Sequence, residues 1–138
     1  MTAKEYLLGI KQLERAIRLK QEEIEELRSL AESITVKTGE EPVQTSGTSD
    51  KVGNIVARIV DLQREMEDSV MKYLDKRAEC IGLLEKMQNI DEREVLYRRY
   101  IQDMTWEDVA NAMGYTSEYV RGALHMNALS NFILDITE

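Results

Sequence analysis

The chain has 138 residues, 43% of them apolar and 32% charged, with a formal net charge of −8. That length suits one ordinary domain, or one small domain attached to an extended element, and would crowd two full globular domains. The acidic balance argues against a strongly basic, non-specific nucleic-acid binder, because affinity for phosphates rests on clustered Lys and Arg; the apolar fraction argues against wholesale disorder.

One proline, few aromatics and abundant Glu, Leu, Ile, Lys, Arg and Met favour helix, since straight side chains lose little rotamer freedom there. A single cysteine, Cys80, excludes an intrachain disulfide and offers no second thiol with which to start a zinc site. A reducing cytoplasm fits best. The N-terminus carries Lys4 and Glu5 inside an amphipathic pattern with no apolar h-region, and reads as neither secreted nor membrane-spanning.

In the first third, Tyr6, Ile10, Leu13, Ile17, Ile24, Leu27, Ala31 and Ile34 recur in steps of four and three, with Lys20 in the seam. This spacing predicts one helix from about residue 3 to about 35, with a stripe facing a partner helix. Thr2 and Glu5 have the spacing of a capping box. From 37 to 51 the pattern stops, and Gly39, Pro42, Ser46, Gly47 and Asp50 predict a flexible loop. Periodicity resumes with Val52, Val56, Ile59, Met66, Val70, Tyr73, Cys80, Leu84 and Met87, predicting a second helix capped by Asp50 and reaching about Gln88. The two would fold back as an antiparallel, coiled-coil-like hairpin over residues 1–88.

Residues 89–138 carry a different pattern. Asn89 or Asp91 can start a third helix with Val95, Leu96, Tyr100 and Ile101 inward and Arg93, Arg98 and Arg99 outward. Thr105 can cap a fourth helix beginning at Trp106, with Glu107 and Asp108 near its positive end. Gly114 supplies a tight turn, and Thr116 or Ser117 starts the next helix. A helix-turn-helix needs a small residue where its helices cross, a glycine four positions later and an apolar residue about six beyond that; Ala110, Gly114 and Val120 meet all three demands. The expected fold is all-α: the long hairpin followed by a C-terminal trihelical helix-turn-helix unit.

The segment LYRRYIQDMTWEDVANAMGYTSEYV resembles the sigma-factor region 4-like proteins of Gram-positive phages and prophages, including the ArpU and RinA-like late-gene regulators, and the resemblance extends over nearly the whole chain. It implies sequence-specific binding of double-stranded DNA, with contact to RNA polymerase, in control of phage gene expression in the bacterial host cell. The hairpin by itself leaves apolar surface exposed, so a partner is expected for it, either the C-terminal unit or a second copy of the chain in a homodimer. The helix after Gly114 would enter the major groove, placing Thr116, Ser117, Glu118, Tyr119 and Arg121 at the DNA, with Arg98, Arg99 and the backbone amides near Trp106 toward phosphates.

Two departures stand out. Where the family tends to read V-x-R-L-H-G-R-A-L, this chain reads Val120-Arg121-Gly122-Ala123-Leu124-His125-Met126-Asn127-Ala128-Leu129, with one residue extra and Asn127 replacing a basic residue. An extra residue rotates the rest of a regular helix by about 100°. From Asp91 to Glu138 there are four arginines, no lysine and nine carboxylates, a net −5 where a DNA reader is ordinarily basic.

His125 falls late in its helix, where a surface or capping role is the simple expectation, and Trp106 and Cys80 read as core residues. Glu22, Glu23, Glu25 and Glu26 read as a solvated face flanked by Lys20 and Arg28. No phosphate-cradling glycine loop, HExxH or nucleophile elbow is present, so no catalytic residue, metal or cofactor is expected. The competing reading is a non-enzymatic acidic interaction protein that binds or inhibits a host protein.

Overall fold

The structure, a computed structural model, describes residues 1–39 and 46–133. Every element among them is helical: α1 (Ala3–Gly39), α2 (Ser46–Glu85), α3 (Ile90–Leu96) with a π-helical turn at Tyr97–Ile101, α4 (Trp106–Met113), then α5 (Ser117–Tyr119), a second π-helical turn at Val120–Leu124, and α6 (His125–Asn131). The all-α expectation, with long N-terminal helices antiparallel to each other, holds.

The long helices outrun their periodicity. α1 continues past residue 35 to Gly39, and α2 begins at Ser46, ahead of Asp50, which is therefore not its cap. Ser, Thr and Gly each weaken a helix interior by about 1 kcal/mol at most and do not stop one. Residues 40–45, the middle of the expected loop, lie outside the described residues. At its other end α2 stops at Glu85, where Lys86 and Met87 amides donate back to Leu83 and Leu84 carbonyls at 3.2 and 3.0 Å and tighten the last turn.

The start of α1 is a capping box: the Glu5 amide donates to Thr2 Oγ1 at 3.1 Å and the Thr2 amide donates to Glu5 Oε2 at 3.2 Å. Seam positions expected from the heptads turn inward, and the second helix adds Ile55 and Leu62 to its stripe. Val56, assigned to that stripe by sequence, is 49% exposed. A step of three from Val52 to Ile55 and a step of four to Val56 fit the pattern equally, and packing selects Ile55.

The chain divides into two compact units, Met1–Leu13 with Lys72–Glu138, and Glu14–Met71. The second has a thin core of Ile24, Ile59 and Leu62, supported by Leu27, Ile55 and Met66. Lys20, the charged intruder in the seam, donates to Ser69 Oγ at 3.1 Å, and Arg58 meets Glu23 at 3.7 Å. As numbers rise along α1 they fall along α2, the mark of antiparallel pairing.

In the first unit Tyr6, Leu7 and Ile10 of α1 and Cys80, Leu83, Leu84 and Met87 at the end of α2 share one core with Val95, Leu96, Tyr100, Val109, Val120, Leu124 and Ala128. Each fully buried aliphatic side chain contributes about 1.5–3 kcal/mol. The Cys80 thiol is fully buried, and burial, with Glu79 nearby, pushes its pKa up to about 12. Sequence periodicity divides the chain at residue 88, since the heptads run past Lys72 without a break; the ends of both long helices instead pack with the C-terminal helices. Lys11 Nζ reaches Asp103 Oδ1 at 3.0 Å in a nearly dry setting, and Tyr6 donates to Glu79 at 2.7 Å.

Candidate nucleic-acid interface

Capping chemistry defines the start of each C-terminal helix. Asn89 Oδ1 accepts from the Glu92 amide at 3.1 Å, Thr105 Oγ1 from the Asp108 amide at 3.1 Å, and Thr116 Oγ1 from the Tyr119 amide at 3.2 Å. All three caps were candidates from sequence. Substituting such a cap by Ala costs about 1 kcal/mol. Gly114 ends α4 with φ 76°, and its amide and that of Tyr115 both donate to the Ala110 carbonyl, at 2.9 and 3.1 Å. The chain thus reverses at the place the Ala110, Gly114 and Val120 spacing requires, and Ala110 and Val120 are buried where α4 and the next helix meet.

The helix after the turn is not a regular α-helix throughout. From Val120 to Leu124 the backbone is π-helical, and the His125 amide donates to the Val120 carbonyl five residues back. A π turn takes in one more residue than an α turn, so an extra residue of the kind the resemblance suggested is accommodated here without rotating the remainder by about 100°. Leu124, His125 and Ala128 all stay on the buried side.

His125 is not a surface residue. It is 8% exposed, shares a 2.7 Å hydrogen bond between its Nε2 and the Tyr100 hydroxyl, and lies edge-on to Trp106 at 4.8 Å between ring centroids. Burial, with Lys4 and Arg99 adding positive charge nearby, pushes its pKa down to about 4. Leu124 and Ala128 also face inward, and the π turn carries His125 with them. A sequence reading that counts 3.6 residues per turn throughout misses this.

The site residues expected at DNA separate into two groups. Glu118, Tyr119 and Arg121 are exposed on the second helix of the motif, Ser117 is half-buried, and Thr116 is spent partly on its cap. Arg121 has no hydrogen-bond or ion-pair partner among the described residues. Thr116, Glu118 and Tyr119, joined by Gly122 and Ala123, line an open depression of about 400 Å³. Tyr119 packs edge-on against Tyr115 at 5.1 Å, and the Tyr115 hydroxyl donates to Asp91 at 2.5 Å, orienting the pair. Tyr115, Gly122 and Ala123 were missed; the i, i+3 and i+4 positions from Tyr119 were the signal for the last two.

Arg93, Arg98 and Arg99, expected outward, are half-buried and engaged within the chain. Arg93 donates to the Met87 carbonyl at 2.8 Å. Arg98 forms an ion pair with Glu94 at 2.6 Å. Arg99 donates to the Met104 carbonyl at 2.9 Å and covers the Trp106 ring at 4.4 Å. Arg99 therefore holds the turn into α4, and Trp106 is partly buried between it and His125. Among the described residues no group of three or more His, Cys, Asp or Glu side chains is placed to hold a metal ion, and no helix is long and apolar enough to cross a membrane.

Residues 89–127 match the family model for Sigma-70, region 4. The match begins at the Asn89 cap and ends just past the π turn, so it covers the helix-turn-helix and not the long helices. It places this unit in a DNA-binding, transcription-related class. No curated protein and no solved structure matches the chain.

Proposed function

We propose that the protein is a non-enzymatic phage or prophage transcription regulator that works in the bacterial cytoplasm and binds promoter DNA through its C-terminal helix-turn-helix, with RNA polymerase as a second contact. The observation that carries this reading is the exposed helix after Gly114, with Glu118, Tyr119 and Arg121 outward, in a segment that matches Sigma-70 region 4. Apolar residues left exposed on the long helices, among them Leu19, Leu30 and Val56, support pairing of two copies. A dimer would present two reading helices to two half-sites.

The internal pairing of Arg98 and Arg99 favours a specific second reading. With those cations engaged and a net −5 from Asp91 onward, the helix face is also suited to docking on a host protein, as an acidic ligand would. The two readings part in one experiment: the full chain is measured against short duplexes from its genomic neighbourhood at low and near-physiological salt, beside Arg121→Ala and Tyr119→Ala. Selective binding that weakens with salt and is lost in both variants is expected, since phosphate neutralisation releases counterions. No selective binding at either salt overturns the DNA reading and leaves the protein-docking one.

A further inference from the structure

Major-groove readers of ordinary composition reach base edges with long polar side chains over a basic surround. Here the middle of the exposed face is short and apolar. Gly122 and Ala123 lie one turn beyond Tyr119 and line the depression with it, and at Gly122 a built Cβ meets nothing within 4 Å, so the backbone is open to close approach. The polar rim is Thr116 and Glu118.

That combination selects among parts of a duplex. A phosphate is disfavoured beside the Glu118 carboxylate, which repels like charge. Guanine, which presents only acceptors at N7 and O6, finds side-chain donors only in the Thr116 and Tyr119 hydroxyls and none at Gly122 or Ala123, the floor of the depression. Thymine presents a 5-methyl group, the one apolar feature in the major groove, and apolar contact with small side chains is how it is distinguished. The Tyr119 ring, 42% exposed and braced by Tyr115, supplies a wall for the methyl.

We infer that Tyr119, Gly122 and Ala123 form a seat for a thymine 5-methyl group, so that the protein distinguishes its site through an apolar contact as well as through Arg121. The inference rests on the DNA-binding reading above. The π turn contributes by keeping Leu124 and His125 inward, which leaves Gly122 and Ala123 on the open side.

The test is selection of duplexes from a randomised pool with the full chain, followed by replacement of each thymine in the winning duplex by deoxyuridine, one at a time, with wild type and Gly122→Ala. Deoxyuridine lacks only the methyl group. At one position or more, affinity of the wild type is expected to fall about fourfold, the effect of one buried methylene-sized group. In Gly122→Ala, which partly fills the seat, binding to the parent duplex is expected to weaken, and the thymine-to-deoxyuridine difference to shrink. Equal binding to every deoxyuridine duplex overturns the methyl seat while leaving DNA reading intact. A pool that yields no preferred duplex overturns both.

Discussion

The Tyr100 hydroxyl and His125 Nε2, 2.7 Å apart and buried, join the helical segment before α4 to the helix after the turn. The bond spans the motif, and with the 2.7 Å bond that Asn131 donates to Glu92 it ties the outer helices together by polar contacts beside their apolar core. Its strength depends on His125 staying neutral, because a buried imidazolium lacks water to solvate it.

Acid should therefore loosen this unit before the carboxylates titrate. His125 is depressed from 6.5 to about 4 in the folded chain, so between those values the unfolded chain binds a proton that the folded one does not. Stability is full above the unfolded value and declines as pH falls through that window, by on the order of 3 kcal/mol from this group. Urea unfolding at intervals from pH 7 to 4 measures the slope. His125→Phe should start less stable, with the Tyr100 hydroxyl left unpaired, and show a flatter slope; an unchanged slope would remove His125 as its source.

Two glycines should respond to alanine with opposite signs. Gly114 has φ 76°, where an L side chain is strained by about 1–2 kcal/mol, so Gly114→Ala should destabilise by that amount. Gly122 lies inside a helical run with open space around it, so Gly122→Ala should stabilise by about 0.5–1 kcal/mol. Denaturant midpoints of the two variants, at unchanged slope, check the pair.

Asp103 adopts φ 54° in the turn before α4 and holds the Lys11 ammonium, which is only 5% exposed at its side chain. Removing the acid strands that charge, so Asp103→Ala should cost about 3–5 kcal/mol. Lys11→Met combined with Asp103→Asn should cost less than Asp103→Ala alone, because no uncompensated ion remains. A double variant less stable than the single one would contradict this account.

The arginines should divide by their contacts. Arg99→Ala loses a charge-assisted bond to the Met104 carbonyl and its cover over Trp106, and should destabilise by about 1–3 kcal/mol. Arg121→Ala, on the exposed face, should change stability by less than about 0.5 kcal/mol. Thermal unfolding of both variants, followed by circular dichroism, separates a turn-holding arginine from a surface one.

Much of the molecule was legible along the chain, because its signals are local. Thr2 with Glu5, Thr105, Thr116 and Gly114 act through atoms within four residues, and a cap or a positive-φ turn is decided by such neighbours. The Ala110, Gly114 and Val120 spacing located the helix-turn-helix for the same reason. Heptad steps of three and four located the long helices and most of their buried stripe, failing at Val56, where two registers satisfy the pattern and only a facing helix chooses between them.

Tertiary structure decided what depends on distant partners. The Lys11 and Asp103 ion pair, the engagement of Arg98 and Arg99, the burial of His125 against Tyr100 and Trp106, and the joining of both long-helix ends to the C-terminal core cannot be read from spacing. The π turn marks the boundary between the two kinds of knowledge. The resemblance suggested one residue too many in the helix after Gly114. Packing decided that the helix widens at Val120–Leu124, because Leu124, His125 and Ala128 are held inward by the surrounding core, and widening one turn keeps that burial where rotating the rest of the helix would forfeit it.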